Sequence, residues 1–148
     1  MLDQELPAGN ILDVGCGYGP IGLFAAKKWP DRQVDMVDVN ERAMDLARRN
    51  AAANGIKNAN VFASDRYQKV SGQYAMIVTN PPIRAGKAVW SDILTAAGEH
   101  LAKGGLLLVV IQKKQGAPSA KKMLAASLGN CEILTRDKGY YILKSVKK

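Results

Sequence analysis

Two short segments carry side chains able to do chemistry together. The first is Thr79-Asn80-Pro81-Pro82-Ile83-Arg84-Ala85-Gly86-Lys87. Asn80 offers an amide oxygen, and Pro81 offers a backbone carbonyl with no N–H of its own to compete. Two acceptors converging in one pocket can hold a planar NH₂ group and favour pyramidalisation at nitrogen. The lone pair is then directed at an electrophile such as a sulfonium methyl. A transfer of that kind needs alignment and electrostatic stabilisation more than a strong base. Taken alone, the same residues also suit a proline-rich turn at the end of a strand.

The second segment is Asp13-Val14-Gly15-Cys16-Gly17-Tyr18-Gly19. A glycine loop between a first strand and a first helix lets the backbone approach a ligand closely. Its spacing is GxGxG, whereas dinucleotide enzymes prefer GxGxxG. An acid ahead of the glycines suits a zwitterionic, partly cationic amino acid better than a pyrophosphate. Asp38 ends the second strand-like run, 23 residues after Gly15 (38 − 15), where a carboxylate can accept from two ribose hydroxyls. Asp65, in Ser64-Asp65-Arg66, falls after the third run, near where an adenine amino group would sit, although Asp is also a common turn residue. Asp35 points to the other face of its strand and reads as a solvated residue.

The elements that must position these residues alternate along the chain. Strands are expected at Ile11–Val14, Val34–Val39, Asn60–Ala63 and Tyr74–Thr79, then at Leu106–Gln112, a continuous apolar run typical of burial on both faces. Pro20 opens the first helix, and Lys27 and Lys28 occupy its last turn. Asn40 caps the second helix, Arg48 and Arg49 fall in its last turn, and Gly55 stops it. Further helices are expected from Lys87 to Ala102 and from Ser119 to Leu128. A hairpin, Cys131–Thr135 with Tyr140–Val146, turns at Arg136-Asp137-Lys138-Gly139. Alternating βα units that end in a hairpin imply an α/β, doubly wound, seven-stranded and mostly parallel sheet with one antiparallel strand. The fourth strand then adjoins the first and brings Asn80 beside the glycine loop.

Composition removes other classes. The 148 residues suffice for one domain, and 47% are hydrophobic, as in ordinary globular chains. No apolar run approaches the roughly 18 residues of a membrane span, and no secretion signal opens the chain, so the expectation is a soluble, cytoplasmic protein. Cys16 and Cys131 do not form a disulfide framework and lack metal-ligand spacing. The one histidine, His100, reads as a surface helix residue with no second histidine to share a metal. No metal is expected. Residues 1–80 carry nine Lys/Arg and nine Asp/Glu, whereas residues 81–148 carry twelve against four, so 12 − 4 accounts for the whole net charge of +8. A positive surface confined to one half points towards nucleic acid more firmly than charge alone would.

DVGCGYGPIG, VDMVDVNERAMDLARRNAAANG and NPPIRAGK together resemble the small-domain methyltransferases of the RsmC type, from about Ile11 to the C-terminus. The resemblance implies a class I, Rossmann-like fold and transfer of a methyl group from S-adenosylmethionine to the exocyclic N2 of a guanine in small-subunit (16S) ribosomal RNA. It implies cofactor binding by Asp13, Gly15, Gly17, Asp38 and Asp65, and catalysis by Asn80 and Pro81. Ile83 stands where related amino methyltransferases often place an aromatic ring, which weakens an adenine reading more than a guanine one. Ten residues precede the first strand, where the family usually has several tens more, so residues 1–148 are expected to form one domain lacking part of that segment.

The partner expected on this basis is ribosomal RNA or the small ribosomal subunit. Pro82, Ile83, Arg84 and Lys87 follow the fourth strand, Lys113 and Lys114 the fifth, and Arg136 and Lys138 lie in the hairpin. Topology puts all of them on the edge that holds Asn80, where the six cations suit phosphates flanking a splayed-out base. Lys147 and Lys148 belong to the opposite edge. Four other readings stay open: a protein-glutamine or adenine-N6 methyltransferase, a catalytically impaired module that binds RNA or cofactor, and a nicotinamide dehydrogenase that would leave Asn80-Pro81-Pro82 unexplained.

Overall fold

The computed structural model describes residues 6–148. Seven strands form one sheet: β1 (Ile11–Val14), β2 (Val34–Asp38), β3 (Ala59–Ala63), β4 (Tyr74–Thr79), β5 (Leu101–Gln112), β6 (Glu132–Asp137) and β7 (Tyr140–Val146). Four helices accompany them: α1 (Pro20–Lys28), α2 (Glu41–Ala53), α3 (Lys87–Thr95) and α4 (Ala117–Leu128). The strand order is β3-β2-β1-β4-β5-β7-β6. β7 runs antiparallel to both its neighbours, and the pairings among β1 to β5 are parallel. This is the mostly parallel, doubly wound sheet that the alternating elements imply. The order reverses between β1 and β4, which opens a crevice at the carboxyl ends of these strands.

The period-two alternation of strand side chains builds a core on each face. Leu12, Ile77 and Leu107 pack with Trp90 and Ile93 of α3 and Leu124 of α4. Ile11, Met36, Met76 and Leu108 pack on the other side with Leu23 of α1 and Ala47 of α2. All six residues of β4 are buried, so the strand that delivers Asn80 is a fixed support.

Several boundaries differ from expectation. α2 ends at Ala53, just before Gly55 as expected, but Arg48 and Arg49 lie inside it rather than in its last turn; Arg48 there bridges Asp45 at 2.9 Å. α3 stops at Thr95 instead of continuing to Ala102. At that end the Tyr67 hydroxyl donates to the Ile93 carbonyl at 2.6 Å. Residues Ala97–His100 form a 3₁₀ turn, and β5 starts at Leu101, paired with Tyr74. The stretch expected to be a Lys103-Gly104-Gly105 turn is therefore an irregular part of β5. A Cβ on Gly105 would lie 2.7 Å from the Ala102 carbonyl oxygen and 3.0 Å from that of Tyr74, so glycine alone fits there.

His100 is half-buried and stacks on Tyr67, with ring centroids 4.5 Å apart, rather than lying on a helix surface. Asp35 is not simply solvated: it accepts the Tyr74 hydroxyl at 2.6 Å and the Gln33 amide at 2.9 Å. Among the described residues no helix is long and apolar enough to cross a membrane.

Candidate active site

The crevice begins with the glycine loop. Gly15 and Gly17 have φ of 73° and 56°, a left-handed region that residues bearing a Cβ seldom enter. The Gly15 and Cys16 amides both donate to the Val37 carbonyl at 2.9 Å, which ties the loop to β2. A side chain added at Gly17 would meet no atom within 4 Å, so open space lies beside the backbone there. Cys16 is buried in the loop. Burial, reinforced by the charges of Asp13 and Asp38, pushes its thiol up to about 12, so it stays protonated and is no nucleophile.

Asp38, at the end of β2, accepts from three backbone amides: Gly17 at 2.7 Å, Val39 at 2.7 Å and Asn40 at 3.0 Å. A carboxylate has about four lone-pair sites, which leaves capacity for a hydroxyl donor. The cleft beside it is bordered by Gly15, Asp38, Val39, Asp65 and Pro82, with Val89 and Ile93 of α3 behind. Val39 is 69% exposed, an apolar face bare at the lip of a cleft. The turn after β3 is shaped by Ser64, whose hydroxyl donates to the Arg66 carbonyl at 2.8 Å and accepts the Lys69 amide at 3.0 Å. This positions Asp65, which pairs with Arg66 at 3.0 Å; Arg66 also reaches Asp92 on α3 at 3.2 Å.

Of the residues expected to hold the cofactor, Gly15, Asp38 and Asp65 meet in this cleft, and Gly17 is joined to it through Asp38. Asp13 is placed differently. It is 2% exposed, lies outside the cleft lining, and accepts the Gly22 amide at 3.0 Å. Its carboxylate fixes the start of α1 against β1. Burial raises its pKa to about 7 against the Gly22 hydrogen bond that lowers it, and the charge of Asp38 adds to the rise.

A second cleft opens on the far side of Pro82, which lines both. Asn80, Pro81, Ile83 and Arg84 border it from the β4 end, and Gln112 and Tyr140 from β5 and β7. Asn80 is exposed at the end of buried β4, and Thr79 anchors the turn by donating to the Val14 carbonyl at 2.8 Å. Among the described residues no carboxylate or histidine lines this cleft, whose polar groups are suited to orienting a donor group.

Sequence reasoning missed Gln112, Tyr140, Val39 and the α3 wall. Gln112 and Tyr140 are register partners across β5 and β7, a pairing between strands distant in sequence that no local signal marks; the turn Lys138-Gly139, with φ of 49° and 82°, sets only the β6–β7 register. The hairpin tip reaches the expected edge: the Lys113 amide donates to the Gly139 carbonyl at 2.9 Å. Arg84 lines the second cleft, and Lys87, Lys113, Lys114, Arg136 and Lys138 are exposed on the elements around it. None of these six cations forms an ion pair with a described residue. Arg136 lies over the Tyr141 ring at 5.5 Å. Lys147, at the opposite edge, donates through its Nζ to the Leu101 carbonyl at 2.9 Å.

A seven-stranded sheet of this order, with a glycine loop and a strand-end acid at its switch point, defines a Rossmann-like methyltransferase fold. Residues 1–144 match the methyltransferase small domain, and the chain belongs to that family. It is 50% identical over 141 residues to the uncharacterised protein YbxB of Bacillus subtilis, covering 94% of this chain and 70% of that one. It is 32% identical over 146 residues to the ribosomal RNA small subunit methyltransferase C of Pseudomonas entomophila, covering 96% of this chain and 43% of that one. The chain thus spans less than half the length of such relatives. Among solved structures it resembles the Thermus thermophilus 16S rRNA N2 G1207 methyltransferase, RsmC, in complex with AdoMet and guanosine. The TM-score is 0.84 at 24% identity, covering 97% of this chain and 38% of that one.

Proposed function

We propose that this chain methylates the exocyclic N2 of a guanine in small-subunit ribosomal RNA. The observation that carries the reading is the pair of clefts sharing Pro82, with the glycine loop and Asp38 on one side and Asn80-Pro81 on the other. When bound, S-adenosylmethionine supplies an electrophilic methyl on a sulfonium sulfur. The first cleft fits it: Asp38 retains acceptor capacity for ribose hydroxyls, Val39 offers an apolar face, and the space beside Gly17 is open. The Asp65 carboxylate borders the same cleft and is an acceptor for an adenine amino group.

In the second cleft the Asn80 side-chain oxygen and the Pro81 carbonyl accept the two amino hydrogens. They draw the nitrogen lone pair out of conjugation with the ring and towards the first cleft. Because buried β4 and the Thr79 anchor hold these acceptors in place, little reorganisation is needed as charge develops. The six exposed cations around the cleft suit the phosphates that flank an unpaired nucleotide. The chain's similarity to ribosomal RNA small subunit methyltransferases supports the same substrate.

Small-subunit RNA incubated with the protein and S-adenosylmethionine, then digested to nucleosides for mass spectrometry, tests the assignment. N2-methylguanosine is expected. N6-methyladenosine, or methylglutamine on a protein substrate, contradicts it.

A further inference from the structure

We propose that Tyr140, steadied by Gln112, supplies the aromatic face on which the target base stacks in the second cleft. The inference rests on the reading of that cleft as the guanine site. Ile83 holds the sequence position at which an aromatic ring is often found after Asn-Pro-Pro, and its half-buried side chain packs against the core on the α3 and α4 side. A base entering beside Asn80 therefore gains no ring from the β4 loop. Tyr140 restores one from the opposite wall. It borders the same cleft, is 41% exposed, and has a ring free of stacking with any described aromatic residue.

Three features hold that ring in place. Tyr140 is the first residue of β7 and the register partner of Gln112, the last residue of β5. The Gln112 side-chain amide donates to the Tyr140 hydroxyl at 2.9 Å. The Lys113 amide ties the hairpin turn to the end of β5 at 2.9 Å. A large aromatic side chain held at a cleft mouth loses little conformational freedom on binding, and base–aromatic stacking tolerates small differences in approach. The stacked base would have Asn80 and Pro81 at its amino edge and Arg84 within reach of its phosphates.

The test uses a short single-stranded RNA with one guanine and the same RNA with that guanine abasic, titrated calorimetrically with S-adenosylhomocysteine present. The unaltered chain should bind the guanine RNA about five-fold or more tightly, the scale of one stacked base. Tyr140→Phe keeps the ring but gives up the hydrogen bond from Gln112, so it should retain most of that ratio, as Gln112→Leu should. Tyr140→Leu should bring the two RNAs together while leaving cofactor affinity unchanged, and should raise the KM for RNA more than it lowers kcat. Gln112→Leu, which frees the ring, should lower the ratio by a smaller factor. If the unaltered chain distinguishes the RNAs and Tyr140→Leu distinguishes them equally, the stacking role is overturned and the guanine reading survives. If the unaltered chain does not distinguish them, both fall.

Discussion

Asp38 accepts the Gly17 amide hydrogen at 2.7 Å across 21 positions of sequence. The acid at the end of β2 and the glycine loop after β1 are consequently one mechanical unit. On the proposed reading, the carboxylate that would accept from a ribose also fixes the backbone that would lie beside the rest of the cofactor. Removing it should therefore weaken binding in two ways, through a lost acceptor and a loosened loop.

Asp38→Ala should lower S-adenosylmethionine affinity by about 2 kcal/mol or more, because a charge-assisted acceptor is lost. The strand end tolerates the change, so the fold should persist. Calorimetric titration checks this, and unchanged affinity would show that the ribose is held elsewhere.

Asp13 makes stability depend on pH. Its folded pKa, raised to about 7 by burial, lies above its unfolded value, so the folded state holds this proton more tightly. That contribution is fully present below about pH 4 and is lost as pH rises through about 7. Asp13→Asn keeps an acceptor for Gly22 and removes the titration. Denaturant melts between pH 5 and 8 should show stability falling more steeply in the unaltered chain, by at most about 1.4 kcal/mol per pH unit. Parallel pH profiles would contradict this account of Asp13.

Gly22→Ala tests the packing behind the loop. A Cβ there would sit 2.8 Å from both the Asp13 carboxylate and the Met36 sulfur. Overpacking of this kind costs about 1–3 kcal/mol, and the hydrogen bond from the Gly22 amide to Asp13 would be strained as well. A denaturant midpoint unchanged from the parent would mean that β1 and α1 can separate freely.

RNA binding should weaken steeply with salt, with a log–log slope of roughly −4 if about six phosphates are contacted by single-stranded RNA. Lys113→Glu with Lys114→Glu should flatten the slope. Lys147→Glu with Lys148→Glu should change it less, since Lys147 belongs to the other end of the sheet, where its Nζ meets Leu101. Equal responses would defeat the assignment of RNA to one edge.

The sheet was largely legible because its signals are local. β4 and β7 have the expected limits, and Pro20, Asn40 and Gly55 mark helix ends where expected. α3 was less legible: at its end the Ile93 carbonyl accepts the Tyr67 hydroxyl, 26 positions away, a contact that no helical periodicity encodes. Asp38 and Asn80 stand at strand ends beside the two clefts, positions that residue type and spacing allowed to be read in advance. The inward turn of Asp13 could not be read so, since it depends on where the Gly22 amide falls. Tyr140 also escaped notice, because it reaches the cleft only through antiparallel pairing with Gln112.

The central claim is that Asn80 orients the accepting amino group. It is tested most directly by the single-turnover rate of methyl transfer to RNA, compared between the unaltered protein and Asn80→Ala, each saturated with S-adenosylmethionine. Losing one preorganised partner typically costs a factor of about 10² or more. Asn80→Ala should therefore be slower by that factor while binding cofactor normally and RNA nearly so. Asn80→Asp, which keeps an acceptor oxygen, should retain partial activity. A full rate in Asn80→Ala would contradict the mechanism.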